Sequence, residues 1–265
     1  MSLDITSRNT HRMPALFIGH GSPLNCVADN AFTREMRRLS AELPRPEAIL
    51  VVSAHWLTRG SFVTADARPE LIYDFSGFPP ELYDLRYSAP GWPSLAQRVS
   101  QVTGGAVQPA PGRGLDHAAW MILRNAYPAA DIPVLEMSLD LSLSPEQHYA
   151  LARELALLRG EGVLIIGSGN IVHNLAWIDS DPDAPVAGWA QEFDDWVATA
   201  LAEQRHDDLI HYLERGPSAR LAAPTADHYL PLLYAAAVQS PDEPTSTVHM
   251  SFQHGSISMR CVRFG

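Results

Sequence analysis

Three apolar runs set the pattern of this chain, and each closes on a histidine: PALFIGH at 14–20, AILVVSAHW at 48–56 and GVLIIGSGNIVH at 162–173. Short continuous runs rich in Val, Ile and Leu, bounded by turn residues, read as strands buried on both faces. The first breaks at once into Gly21, Ser22, Pro23 and Asn25, so it delivers His20 to the rim of a sheet. Helical spacing follows over 31–43, where Phe32, Met36, Leu39 and Leu43 recur on one face behind Asp29 or Asn30 as N-cap. Pro44 and Pro46 stop that helix before the second run, and 61–65 predicts a short strand beside it.

The rest of the chain continues the alternation. The stretch from Tyr73 to Trp92 is dense in aromatics, Pro and Gly without a sustained period, which predicts a long ordered loop. Helices are predicted over 93–102 and 118–127, with the glycine loop APGRGLDH between them and a strand over 132–139 after them. Ser144, Pro145 and Gln147 have capping-box spacing, opening a helix through Leu151, Leu155 and Leu158. Further helices are expected over 189–203, 207–214 and from just after His228, and 179–185 is an acidic surface loop. Residues 247–252 and 256–262, split by His254 and Gly255, read as a β-hairpin. Strand–helix alternation of this kind predicts an α/β fold: a single domain with a central, mostly parallel or mixed sheet flanked by helices and a functional site at the strand carboxyl ends. No linker divides 1–265, although residues 1–13 are expected to be a flexible N-terminus.

Composition narrows the partners. A formal net charge of -11 disfavours nucleic acid and anionic membrane surfaces, which are bound through basic residues. Cys26 and Cys261 are the only cysteines, so a reducing, cytoplasmic setting suits the chain better than a disulfide framework. No stretch approaches the roughly 18 apolar residues of a membrane span.

Histidine is the unusual count, at 11. His11, His148, His206, His211, His249 and His254 have no context that lifts them above surface or packing roles, which leaves His20, His55, His117, His173 and His228. His20 and His55 end successive strands, where ligands gather in open α/β sheets, and imidazole suits iron and zinc. Asp227 beside His228 either orients that ring or caps a helix. Two other motifs fail. GSGNIV has Val172 where a dinucleotide fingerprint needs its third glycine, and neither Ser22 nor Ser168 sits in G-x-S-x-G.

PALFIGHGSPLN, VVSAHW, GLDHAAW, GSGNIVHNL and DHYLPLLYAA, in this order, resemble the class III extradiol ring-cleavage dioxygenases, specifically the branch of DOPA 4,5-dioxygenases and their bacterial relatives. The similarity spans about 14–264. It implies a non-haem metal and oxygen-dependent opening of a catechol ring, of a DOPA-like substrate, to a semialdehyde. Carried over by motif, His20, His55 and His228 fall on metal-ligand positions. His173 falls on the catalytic histidine and a possible fourth ligand, and His117 on a second catalytic histidine in the pocket. His228 stands where the wider superfamily has a carboxylate, and three neutral ligands suit Fe(II) for turnover and Zn(II) as a bound ion. Trp56, Tyr73 and Phe75 are expected to contact the substrate ring, while Ser22 and Asn25 either bond a substrate oxygen or close the turn. The implied partners are a small catechol and O2. A zinc hydrolase on the same histidines and a metal- or aromatic-binding protein without turnover are the competing readings.

Overall fold

A computed structural model describes residues 12–265; His11 and the rest of the expected flexible segment before Arg12 lie outside the described residues. Met13, at the end of that segment, is buried and exchanges main-chain and side-chain hydrogen bonds with Arg159.

Ten strands are present among the described residues: β1 (Ala15–Gly19), β2 (Ala48–Thr58), β3 (Ser61–Thr64), β4 (Val107–Ala110), β5 (Val134–Asp140), β6 (Val163–Gly169), β7 (Thr245–His249), β8 (Phe252–Gln253), β9 (Ile257–Ser258) and β10 (Cys261–Phe264). The helices are α1 (Ala31–Glu42), α2 (Pro93–Val102), α3 (His117–Ala126), α4 (Pro145–Glu154), α5 (Ala156–Arg159), α6 (Gly188–Ala202), α7 (His206–Ile210), α8 (Pro217–Ala222) and α9 (Leu230–Ala237). Eight strands form one sheet in the order β4-β3-β5-β2-β6-β1-β10-β7, and β8 pairs with β9 separately. Its centre, β5-β2-β6-β1, is parallel, while β3 and β10 join that centre antiparallel. The fold is therefore α/β with a mixed sheet in a single domain.

The apolar runs do what a doubly covered strand requires. Side chains alternate across a strand, so Phe17, Leu50, Val52 and Ile165 pack into one core with α2, α4, α6 and α9. Leu16, Ile18, Ile49, Val51, Leu164 and Ile166 enter a second core against α1 and α3. No helix among the described residues is long and apolar enough to cross a membrane.

Capping matches the local sequence. Asn30 caps α1 in a capping box with Thr33, and Ser144 caps α4 in one with Gln147. Differences from the sequence pattern are local. β4 and α8 are short elements that periodicity does not announce, and β4 contains Pro109. The helix from Ser144 breaks at Leu155 into α4 and α5. The closing hairpin is really two ladders, β7 with β10 and β8 with β9.

Candidate metal centre

The carboxyl ends of β1, β2 and β6 meet at one rim of the sheet. His20 follows β1 directly, and its amide donates to Gly169 O at 3.0 Å, locking it to the end of β6. Gly21 then turns with φ +59°, where a side chain would be strained and its Cβ would meet Met259 Sδ at 2.3 Å. His55 lies inside β2, where the register against β5 shifts between Val52 and Leu57. Such an irregularity re-aims side chains at a sheet rim. His228 precedes α9, and its carbonyl accepts from Asn170 N at 2.9 Å. The two glycines of GSG explain that approach: a Cβ on Gly169 would lie 2.1 Å from His228 O, and one on Gly167 2.0 Å from Pro231 O. GSGNIV is thus a packing motif for the segment carrying His228.

Hydrogen bonds assign the ring protons. Ser168 Oγ donates to Ala118 O at 2.7 Å and so accepts from His20 Nδ1 at 3.1 Å. The Asp227 carboxylate takes His228 Nδ1–H at 2.7 Å, and Asp74 Oδ2 lies 3.2 Å from His55 Nδ1, where its charge favours the proton. In all three rings the proton sits on Nδ1, leaving Nε2 as a bare lone pair. These three ligand nitrogens lie within 4.8 Å of one another, and the Nε2 atoms of His20 and His55 are 3.4 Å apart. The buried Nε2 of His228 has no hydrogen-bond partner among the described residues.

Lone pairs converging without an intervening proton repel unless a cation lies among them. Protonation is not the remedy: burial, then the neighbouring imidazoles, hold His20 well below the usual histidine range. His228 is also lowered, chiefly by burial. The donor set and its oxygen-anchored rings fit a divalent metal held by imidazole.

Two further histidines border this cluster. His117, first residue of α3, donates twice to Asp74 Oδ1, from its amide (3.1 Å) and from Nδ1 (2.9 Å). Asp74 thus bridges His55 and His117; burial opposes its ionisation, but the bonds from His117 and His55 win and hold its carboxyl far below the usual range. His173 stacks on His228 with ring centroids 3.5 Å apart and planes 4° from parallel. It stands outside the group of three mutually close ligand nitrogens. Burial, with His228 next, pushes its pKa down to about 3, so the ring is neutral near pH 7. The loop carrying it is tied down by His173 N to Ala222 O (2.8 Å) and Asn174 Nδ2 to Leu221 O (2.8 Å).

Behind the rim lies a buried acid network. Asp116 caps α3, accepts Ser53 Oγ–H at 2.9 Å, and its amide donates to Glu136 Oε2 at 2.8 Å. Ser53 Oγ in turn accepts the His55 amide at 3.0 Å. One carboxylate therefore braces the backbone of both His55 and His117. Burial first, and then Asp116, push the Glu136 carboxyl upward.

A cavity of about 700 Å³ opens on the five histidines and is lined also by Gly21, Ser22, Leu24, Asp74, Phe75, Phe78, Leu175, Ile178, Asp227, His254 and Ile257. Of the residues expected at a substrate ring, Phe75 lines it, with its ring 5.6 Å from that of His117. Trp56 does not: it follows His55 in a strand, points to the other face and stacks under Arg113 at 4.9 Å. Tyr73 packs against Trp120 and turns its hydroxyl to Leu85 O, lining a separate surface hollow. Ser22 lines the cavity, yet its Oγ accepts Leu24 N and closes the turn. Asn25 is used up by His20 O, Gln253 and Asn30, so it also serves the turn. Asp74 and His254 are lining residues that sequence reasoning passed over.

The fold and site define an α/β metalloprotein with an oxygen-anchored histidine centre and a roomy cavity. The family described as the catalytic LigB subunit of aromatic ring-opening dioxygenase matches residues 10–265. A 4,5-DOPA dioxygenase extradiol of Escherichia coli K12 is 43% identical over 99% of this chain and 98% of its own. The protein of the same name from Beta vulgaris is 38% identical over 94% and 95%. A crystal structure of an uncharacterised Escherichia coli K12 protein superposes with a TM-score of 0.83 at 40% identity, covering 96% of this chain and all of that one. The chain belongs to the class III extradiol superfamily of aromatic ring-opening dioxygenases, metal-dependent oxidoreductases. That membership disfavours the hydrolase reading.

Proposed function

We propose that this enzyme opens a catechol ring with O2 beside one of its hydroxyls, at a metal held by Nε2 of His20, His55 and His228. The observation carrying the assignment is the convergence of three bare imidazole nitrogens, two on buried histidines and one on the half-buried His55, that of His228 without a hydrogen-bond partner among the described residues. Fe(II) is the ion for turnover; it supplies the electron coupling between catechol and O2 that spin-paired organic molecules lack. Zn(II) suits the same three imidazoles and would fill the centre without redox chemistry.

The chain's own groups handle protons and position. His173, neutral and stacked against His228, takes a proton from a catechol hydroxyl as general base. His117, with Nδ1–H held by Asp74, presents Nε2 to hold or return a proton at a substrate oxygen. Asp74 keeps His55 and His117 in fixed orientation together, so positioning of the substrate is coupled to one carboxylate. Phe75 and Phe78 supply a wall for a flat ring. The catalytic unit takes in the whole chain, 1–265, and its two buried free cysteines suit the reducing cytoplasm.

The test is anaerobic loading with Fe(II), followed by catechols and O2. The reading requires oxygen uptake matched to a yellow ring-opened product. Absence of uptake across DOPA, protocatechuate and simple catechols would overturn it, and turnover with zinc in the absence of O2 would favour the hydrolase instead.

A further inference from the structure

Resting on the ring-opening reading, we infer that O2 has its own way in: an apolar seam between α1 and α3 that reaches the metal centre from behind, at His20 and His117, with Ile122 as its gate. Two small voids lie along that seam. The outer one, of about 20 Å³, is walled by Leu16, Ile18, Met36, Leu39, Ile122 and Ile166. Among the described residues only Ser40 and Tyr127 bring polar side chains to it. Both are partly exposed, in the last turn of α1 and just past the end of α3, and they mark where the seam opens. The inner void, of about 10 Å³, lies toward the start of both helices, against Cys26, Phe32, Met121 and Ile122, and it ends on His20 and His117. Ile122 borders both voids, and the two histidines border both the inner void and the wide cavity.

The two approaches suit different molecules. The wide cavity carries Ser22, Thr225, Asp74, Asp227 and His254 beside the histidines of the centre, a polar mouth fit for a polar catechol. A catechol seated there covers the centre from that side. The outer void of the seam is the reverse, since a void with aliphatic and thioether walls stays dry. O2 is small, uncharged and without a dipole, so it gives up no hydrogen bonds on leaving water and gains dispersion contacts inside. In the inner void the amides are spent on the protein: Asn125 Nδ2 donates to Asn25 O at 3.1 Å, and Asn25 Nδ2 donates to His20 O at 3.3 Å and Gln253 Oε1 at 3.2 Å. Roughly 10–15 Å³ of such space holds one water-sized molecule, so the inner void passes a diatomic gas singly and shuts out a catechol. Met36 and Met121 are unbranched and flexible, which lets the walls yield as the gas moves.

Xenon, an apolar atom that scatters anomalously, is the probe. Crystals of the zinc-loaded protein held under xenon pressure should show it in the seam beside Ile122, with Ile122→Ala raising its occupancy and Ile122→Phe expelling it. In the Fe(II)-loaded enzyme, Ile122→Phe should raise KM for O2 several-fold and Ile122→Ala should not raise it, while KM for the catechol stays at the wild-type value in both. One substitution destabilises by crowding and the other by leaving a void, so a KM for O2 that rises in the first alone does not come from lost stability. Xenon confined to the wide cavity, an ordered water holding the outer void under pressure, or an unchanged KM for O2 in Ile122→Phe would overturn the inference. Xenon binding needs no turnover and keeps the two readings apart. An enzyme that opens no catechol yet takes xenon in the seam faults the proposed reaction, and one that opens catechols while the seam stays empty of xenon faults the proposed route.

Discussion

Arg159 and the rim histidines His20 and His228 are all drawn out of water, but their surroundings treat them differently. Arg159 is fully buried, and its guanidinium donates to Met13 O, Val238 O, Phe264 O and both carboxylate oxygens of Glu243. Arg260 is handled the same way by Asp194, at 2.9 Å and 2.5 Å. These clusters join elements distant in sequence and leave no guanidinium nitrogen without a partner, which is what a structural ion pair needs to offset its desolvation. At the rim, Ser168, Asp74 and Asp227 satisfy one nitrogen of each ring and leave the other bare. The lesson is that burial of polar groups does not by itself mark function; bare imidazole nitrogens that converge on one point do.

Substitutions test that contrast. His173→Gln removes the proposed base and no proposed ligand, so kcat should fall about 10²- to 10⁴-fold while metal content, measured by mass spectrometry, stays at the wild-type level. Loss of metal with activity would show that His173 ligates. Arg159→Met should do the reverse, costing about 3–5 kcal/mol in denaturant unfolding and sparing the metal and its chemistry. Asp227→Asn changes the acceptor of His228 Nδ1–H and should weaken metal binding about 10- to 100-fold in competition with a chelator; unaltered affinity would reduce Asp227 to a helix-end residue.

The smallest effect concerns a buried histidine of the structural kind. His148 Nδ1 meets Tyr234 OH at 2.9 Å, and burial lowers its pKa. Its unfolded form takes up a proton near the ordinary value of about 6.5, whereas the folded form does so only at lower pH. Between those values the unfolded state holds more protons, so stability falls as pH drops below about 6.5, by at most about 1.4 kcal/mol per pH unit for one group. His148→Gln should make the acid limb of the stability curve shallower by up to that slope. An unchanged limb would show that other groups carry it.

Much of this contrast was legible in the sequence, and for identifiable reasons. β1, β2 and β6 are continuous apolar runs, and a strand buried on both faces cannot be written otherwise without unpaired polar groups. Asn30 and Ser144 announce their helices because capping is local chemistry. His20, His55, His117, His173 and His228 were marked by motif, and the fold brings all five to one cavity. Asp74 was hidden by its place in an aromatic loop, since its bonds to His55 and His117 join residues 19 and 43 positions away. Position 254 sits in the β8–β9 turn, and only tertiary folding carries it to the rim. Trp56 could have been placed correctly from the start: neighbours in a strand face opposite ways, so a ligand at 55 argues against a substrate contact at 56.

The most direct measurement of the centre itself is X-ray absorption at the metal edge of the Fe(II)-loaded enzyme, alongside His20→Ala, His55→Ala and His228→Ala. Three imidazole nitrogens in the wild-type shell, at one metal per chain, and near-total loss of bound metal in each variant are the predicted result. A shell dominated by oxygen, or full metal occupancy surviving any one of the three substitutions, would contradict it.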